Sequence, residues 1–210
     1  MDALRFALAA FAAIFPIVNP FSAAILLVAL TPGDTLAHRR AQAGRAVLFM
    51  TAILVVSYFA GSAILNFFSI SRPALVLAAG VLVCRSGWRA LTVVDRLSPE
   101  QREEGMHKVD VSLTPLGMPM LAGPGTISVV IGLSADAEGV ARNIAVLAVI
   151  LVVSVLSYAV LASAPAVASR LGRTGEAAIS KVMGLITLSV GIQFLINGVT
   201  MVARLAVASA

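Results

Sequence analysis

The sequence predicts an all-α membrane protein: six transmembrane helices forming two inverted three-helix repeats, with broken helices in spans 1 and 4. Three observations carry this reading. Of the 210 residues, 60% are hydrophobic and only 12% are charged. The apolar residues fall into six continuous runs. An offset of 104 residues relates spans of the first half to spans of the second.

Soluble domains run about 45–50% apolar and about 25% charged. With a mean hydropathy of +1.00, this chain has too little charge to cover a water-facing surface, and is too apolar for disorder. A lone cysteine, Cys84, excludes a disulfide framework and a cysteine-rich metal site. The net charge of +5 and pI near 10.3 could suggest nucleic acid. The basic residues are scattered through short polar breaks, so membrane orientation explains them better and no nucleic-acid partner is expected.

A bilayer span needs about 20 apolar residues. The runs lie at roughly 6–30, 46–68, 73–94, 112–133, 143–164 and 182–203. The first carries one arginine, Arg5, and exceeds the 7–15 residues typical of a signal-peptide core. None alternates with period two, so helices are expected, not barrel strands. Arg39, Arg40, Arg45, Arg96, Arg102, Lys108, Arg170, Arg173 and Lys181 fall in the odd-numbered loops, nine in all. Arg5, Arg72, Arg142 and Arg204 lie on the other side, four in all. The positive-inside rule then puts both termini outside, with loops 1, 3 and 5 in the cytoplasm.

Span 3 contains Gly80-Val81-Leu82, Gly87 and Leu91; span 6 contains Gly184-Leu185-Ile186, Gly191 and Leu195, each 104 residues on. The same offset carries Asn19-Pro20 onto Gly123-Pro124, and Ser22 onto Thr126. Span 2 matches span 5 only with a gap. Three spans per repeat is an odd number, so the halves must be inverted, as in many secondary transporters. The organisation expected is a first repeat over 1–94, a cytoplasmic connector over 95–111 and a second repeat over 112–210, within one membrane domain.

Asn is a preferred N-cap and Pro a preferred first helical residue. Asn19-Pro20 is therefore a helix start in the middle of span 1, and Gly123-Pro124, followed by Gly125-Thr126, repeats it in span 4. Pro16, Pro115 and Pro119 weaken the upstream turns. Broken backbone at membrane depth must be buried in protein or line a wet cavity. Two such N-termini meeting near the midplane would suit a carboxylate. A pair of proline kinks used for packing is the alternative.

The stretch Pro115-Leu116-Gly117-Met118-Pro119-Met120-Leu121-Ala122-Gly123-Pro124-Gly125 resembles the P-L-x-x-P-x-x-A-G-P-G signature of the MarC family of bacterial inner-membrane proteins, also classed as neutral amino acid transporters. Asn19-Pro20, Leu30-Thr31, Ser69-Ile70-Ser71, Ala78-Ala79-Gly80, Met183-Gly184, Gln193-Phe194 and Asn197-Gly198 extend the resemblance over nearly the whole chain. The chain departs from the family at Ser22, where glycine is usual, at Ile25, where proline is usual, and at Val76, where arginine is usual. The resemblance implies a six-helix secondary carrier for small neutral amino acids in a bacterial inner (plasma) membrane, where termini on the outside would be periplasmic or extracellular.

No Asp, Glu, Lys or His lies inside these spans, which argues against a carboxylate-driven pump. Coupling to H+ or Na+ through loop groups or backbone carbonyls stays open, and no other cofactor and no metal are expected. Arg85 and Arg89 flank Trp88 late in span 3; Arg85 either snorkels to the headgroups or faces the cavity as a gate. Gln193 and Asn197, four apart, either contact substrate or bond across helices. The expected substrate site is thus Asn19, Pro20, Ser22, Gly123, Pro124, Gly125, Thr126, Gln193 and Asn197. The carboxylate would rest on N–H groups at Ser22, Gly125 and Thr126, and the ammonium near the carbonyls of Pro16 and Ala122. The partners are the lipid bilayer and a small neutral amino acid, and a homo-oligomer is compatible with the many small residues. An intramembrane enzyme is disfavoured for want of an embedded nucleophile–base pair. A passive channel or structural subunit is the other alternative.

Overall fold

In the computed structural model, residues 2–92, 112, 116, 117, 121–137 and 139–208 are described. All regular structure among them is helical: α1 (Ala3–Val18), α2 (Pro20–Leu30), α3 (Leu36–Phe67), α4 (Arg72–Thr92), α5 (Pro124–Asp136), α6 (Val140–Ala162) and α7 (Ala164–Ala208). Five candidate spans are long and apolar enough to cross a membrane: Ala3–Leu30, Leu36–Gly61, Arg72–Thr92, Val140–Ala162 and Ala177–Val207. The expected span at 112–133 is represented by α5, whose 13 residues rise only about 20 Å. Most of 112–120, and all of the connector 95–111 with Arg96, Arg102 and Lys108, lie outside the described residues.

The expected loops 1 and 5 are mostly helix. Residues 31–35 alone separate α2 from α3, so Arg39, Arg40 and Arg45 sit on the first turns of α3. Ser163 alone separates α6 from α7, and α7 runs through Arg170, Arg173 and Lys181 without a break. The physical reason is that Arg and Lys are good helix formers. The bilayer limits how much apolar length is useful, not how far a helix continues into water.

The core gathers around the broken first span. Ile14 and Val18 of α1, Leu27 of α2, Met50 and Leu54 of α3, Val130 of α5 and Ile150 of α6 are all fully buried. Large apolar residues also cover the outside, among them Phe59, Leu151, Val155, Ile196 and Val199. A water-soluble fold would hide such a surface; acyl chains solvate it at no cost.

α4 and α7 run antiparallel with their backbones almost touching. A Cβ built on Gly80 would lie 3.0 Å from Gly191 O, and one built on Gly87 would lie 2.8 Å from Gly184 O. Between these two crossings Cys84 Sγ stands 3.9 Å from Leu188 O. On the other flank, Thr51 Oγ1 of α3 donates to Ser154 Oγ of α6 at 2.7 Å.

The ends of the two short helices are held alike. Arg39, on α3, donates from Nε to Thr31 Oγ1 at 2.8 Å and from Nη2 to Thr31 O at 2.6 Å, tying down the C-terminus of α2. Asn143, on α6, donates from Nδ2 to Ala137 O at 3.1 Å and to Gly139 O at 2.8 Å, just beyond α5. Arg39 and Asn143 are themselves 104 residues apart.

Candidate functional site

The break in the first span is local chemistry made visible. Asn19 N still donates to Phe15 O at 3.0 Å, completing α1. Asn19 then turns left-handed, with φ 44° and ψ 69°. Asn is one of the few residues that visits this region at modest cost. Pro20 starts α2 with no N–H to give to Pro16 O. The Ser22 N–H turns to Asn19 Oδ1 at 3.3 Å and so does not serve Val18 O. Carbonyls at the end of α1 thus lose their usual partners, within a stretch, Pro16–Pro20, that is buried throughout.

Asn19 itself is fully buried, and its Nδ2 has no hydrogen-bond partner. A buried amide donor left unmade costs about 1–3 kcal/mol. Most native structures avoid that cost, so an orphan here asks for an explanation. The neighbouring first-turn hydroxyl, Ser22 Oγ, lies 2.6 Å from Ser180 Oγ on α7.

The second start follows the same plan with different capping. Gly123 is the N-cap of α5, extended at φ −73° and ψ 166°, and Pro124 follows as the first helical residue. Ile127 N closes the first intrahelical bond to Gly123 O at 3.1 Å. The Gly125 and Thr126 N–H groups precede that bond and belong to the open end of the helix. Both residues are buried, while Pro124 is exposed and Gly123 half-buried. Thr126 Oγ1 donates back to Leu121 O at 3.5 Å.

The start of α5 lies beside the end of α1. A Cβ on Gly125 would stand 3.7 Å from Ile17 Cγ2, two residues before Asn19, and 3.7 Å from Val83 Cγ2 of α4. Gly125 thus packs against the end of α1, and Asn19, Pro20, Ser22, Gly125 and Thr126 are each buried.

Two expected site features lie on exposed faces, and one expected donor is already engaged. Gln193 and Asn197 lie on an exposed face of α7 and satisfy one another, Gln193 Nε2 donating to Asn197 Oδ1 at 2.9 Å. Arg85 is exposed on α4, beside the outward-facing Trp88. The Ser22 N–H expected to hold a carboxylate is occupied by the Asn19 side chain, because residue 19 caps its own helix. Conversely, Ser180 joins the site without having been legible as part of it. It lies in a stretch whose basic residues read as a loop, and no motif marks it.

Among the described residues, no group of three His, Cys, Asp or Glu could hold a metal ion. The donors and acceptors at the break are amide, hydroxyl and carbonyl groups.

A helical chain with an apolar exterior and a polar break at its centre is an integral membrane protein. Comparison with known proteins agrees. The family model described as MarC family integral membrane protein matches residues 4–203, and the chain belongs to that family. The inner membrane protein MarC of Citrobacter koseri is 33% identical over 199 residues, covering 89% of this chain and 90% of the relative. That of Salmonella typhimurium is 32% identical over the same length and with the same coverage. A membrane protein of Methanocaldococcus jannaschii is 32% identical over 198 residues, covering 93% of this chain and 97% of its own. No solved structure matches significantly.

Proposed function

We propose that this protein is a secondary carrier of small neutral amino acids or similar small zwitterions. It would work by alternating access between two inverted repeats, 1–94 and 112–210. The observation that carries the reading is the fully buried, unpartnered Asn19 Nδ2 at a broken helix whose first half packs, through Ile17, against Gly125 in the first turn of α5. Donors there suit a carboxylate, and the unpaired carbonyls near Pro16 and Val18 suit an ammonium.

Inversion is supported by reciprocal contacts. Gly80 meets Gly191 and Gly87 meets Gly184. Adding 104 to the first member of each pair and subtracting it from the second turns one pair into the other. Cys84 and Leu188, in contact and 104 apart, sit at the centre of this exchange. Thr51 and Ser154, 103 apart, supply the one-residue gap between spans 2 and 5. A pseudo-two-fold axis between α4 and α7 accounts for all of these.

The deciding experiment is counterflow in proteoliposomes across a panel of amino acids, with and without imposed H+ and Na+ gradients. Saturable, competitive counterflow is expected for small neutral members. Linear, non-competitive flux would make the protein a channel, and no flux at all would remove the carrier reading.

A further inference from the structure

Resting on that carrier reading, we infer that Ser180 is a specificity residue and that the site is polarised. The α2 side takes the substrate carboxylate and the α5 side takes its apolar part.

The hydroxyls of Ser22 and Ser180 are 2.6 Å apart, so one donates to the other. Two hydroxyls carry two protons, and only one lies in the shared bond. The second is left to donate. Ser22 is buried in the first turn of α2, three residues after Asn19, whose Nδ2 has no partner. The same end of α2 carries the positive end of its helix dipole. Side-chain donors and dipole thus coincide on one side.

The corresponding positions of the other repeat lack these donors. The counterpart of Ser22 is Thr126, whose hydroxyl is turned back onto Leu121 O. The residue 104 before Ser180 is Val76, which is buried and has no hydrogen-bonding side chain. Asn19 is replaced by Gly123. Around Gly125 a built Cβ would meet the methyls of Ile17 and Val83, each at 3.7 Å, and the Leu82 carbonyl oxygen at 3.9 Å, with no side-chain donor among them. The α5 side therefore offers backbone N–H groups within an apolar wall.

The test is equilibrium binding of L-alanine and L-alaninamide to the purified full-length protein in detergent. Alaninamide keeps the ammonium and the methyl but lacks the carboxylate. A hydrogen bond to a charged group accounts for about a tenfold change in affinity or more. Ser180→Ala is expected to weaken alanine about tenfold, to lower the alanine-to-alaninamide affinity ratio, and to leave Tm unchanged. Ser180→Thr, which retains the hydroxyl, is expected to bind alanine like wild type. If Ser180→Ala does not fold, the isosteric Ser180→Cys is read the same way.

Equal loss for both compounds together with a lower Tm would make the serine pair packing glue and overturn the proposal. So would unchanged alanine binding in Ser180→Ala while wild type binds. Wild-type protein that binds no member of the amino acid panel would overturn the carrier reading itself. Where alaninamide is too weak to measure, the alanine affinity, the threonine rescue and Tm decide.

Discussion

Asn19 combines three jobs in one side chain. Its backbone supplies the left-handed turn, its Oδ1 caps α2, and its Nδ2 is left over at the break. The jobs separate by substitution. Asn19→Leu loses a cap of about 1 kcal/mol and puts a branched residue in a left-handed conformation at about 1–2 kcal/mol. It is expected to lower Tm and abolish binding together. Asn19→Gly keeps the turn and loses only a few tenths of a kcal/mol of capping. It is expected to hold Tm while weakening amino acid binding at least tenfold. A Gly variant that binds normally would show that Nδ2 does not touch substrate. Arg85, exposed on α4, is a contrasting case. Arg85→Lys is expected to transport near normally, since either cation reaches the headgroups. A clear fall in flux would point to a planar, bidentate contact instead.

Between elements, the α4–α7 seam is the tightest packing described, and its glycines are not interchangeable with others in the chain. A Cβ on Gly191 would sit 2.6 Å from Cys84 N, and one on Gly87 2.8 Å from Gly184 O, so alanine must drive the helices apart. In a bilayer, close backbone approach supplies much of the association, because lipid provides no hydrophobic drive between helices. Gly87→Ala and Gly191→Ala are each expected to cost about 1–3 kcal/mol. Gly132 of α5 has nothing within 4 Å of a built Cβ, and Gly132→Ala is expected to be neutral or to stabilise by up to about 1 kcal/mol through helix propensity. Thermal melts in detergent compare the three. Equal effects would contradict a backbone-to-backbone seam. By contrast, α2 and α5 are short, separately started, and held at or just beyond their C-terminal ends by Arg39 and Asn143.

For the whole molecule, orientation is the open quantity that charge addresses. In a Cys84→Ala background, a cysteine at Arg40 is expected to be shielded from an impermeant thiol reagent added outside intact cells. A cysteine at Val140, an exposed residue beyond α5, is expected to be labelled. The reverse pattern would invert the topology and with it the inside count of nine basic residues against four. The proposed inversion of the repeats would be untouched by that result, since it is argued from contacts within the chain and not from which face is cytoplasmic.

Much of this protein is written in local chemistry. Continuous apolar runs demand helices that satisfy their own backbone in lipid. Asn19-Pro20 and Gly123-Pro124 demand helix starts wherever they occur, and the structure starts α2 and α5 at those prolines. The offset of 104 was readable because equivalent helices repeat the same small residues at the same spacing. Other features were decided only by how the helices pack. Ser22 and Ser180 are 158 residues apart, and their meeting depends on the register of α2 against α7, which no short pattern encodes. The outward placement of Gln193 and Asn197 depends on which stripe of α7 the glycine seam turns toward α4. The helical character of the basic segments was hidden because charge reports where a chain meets water, not whether it stays helical there. Local sequence sets which bonds a backbone can make with itself. Only the packed tertiary structure sets which side chains are left facing one another, and here that includes the unpaired amide of Asn19.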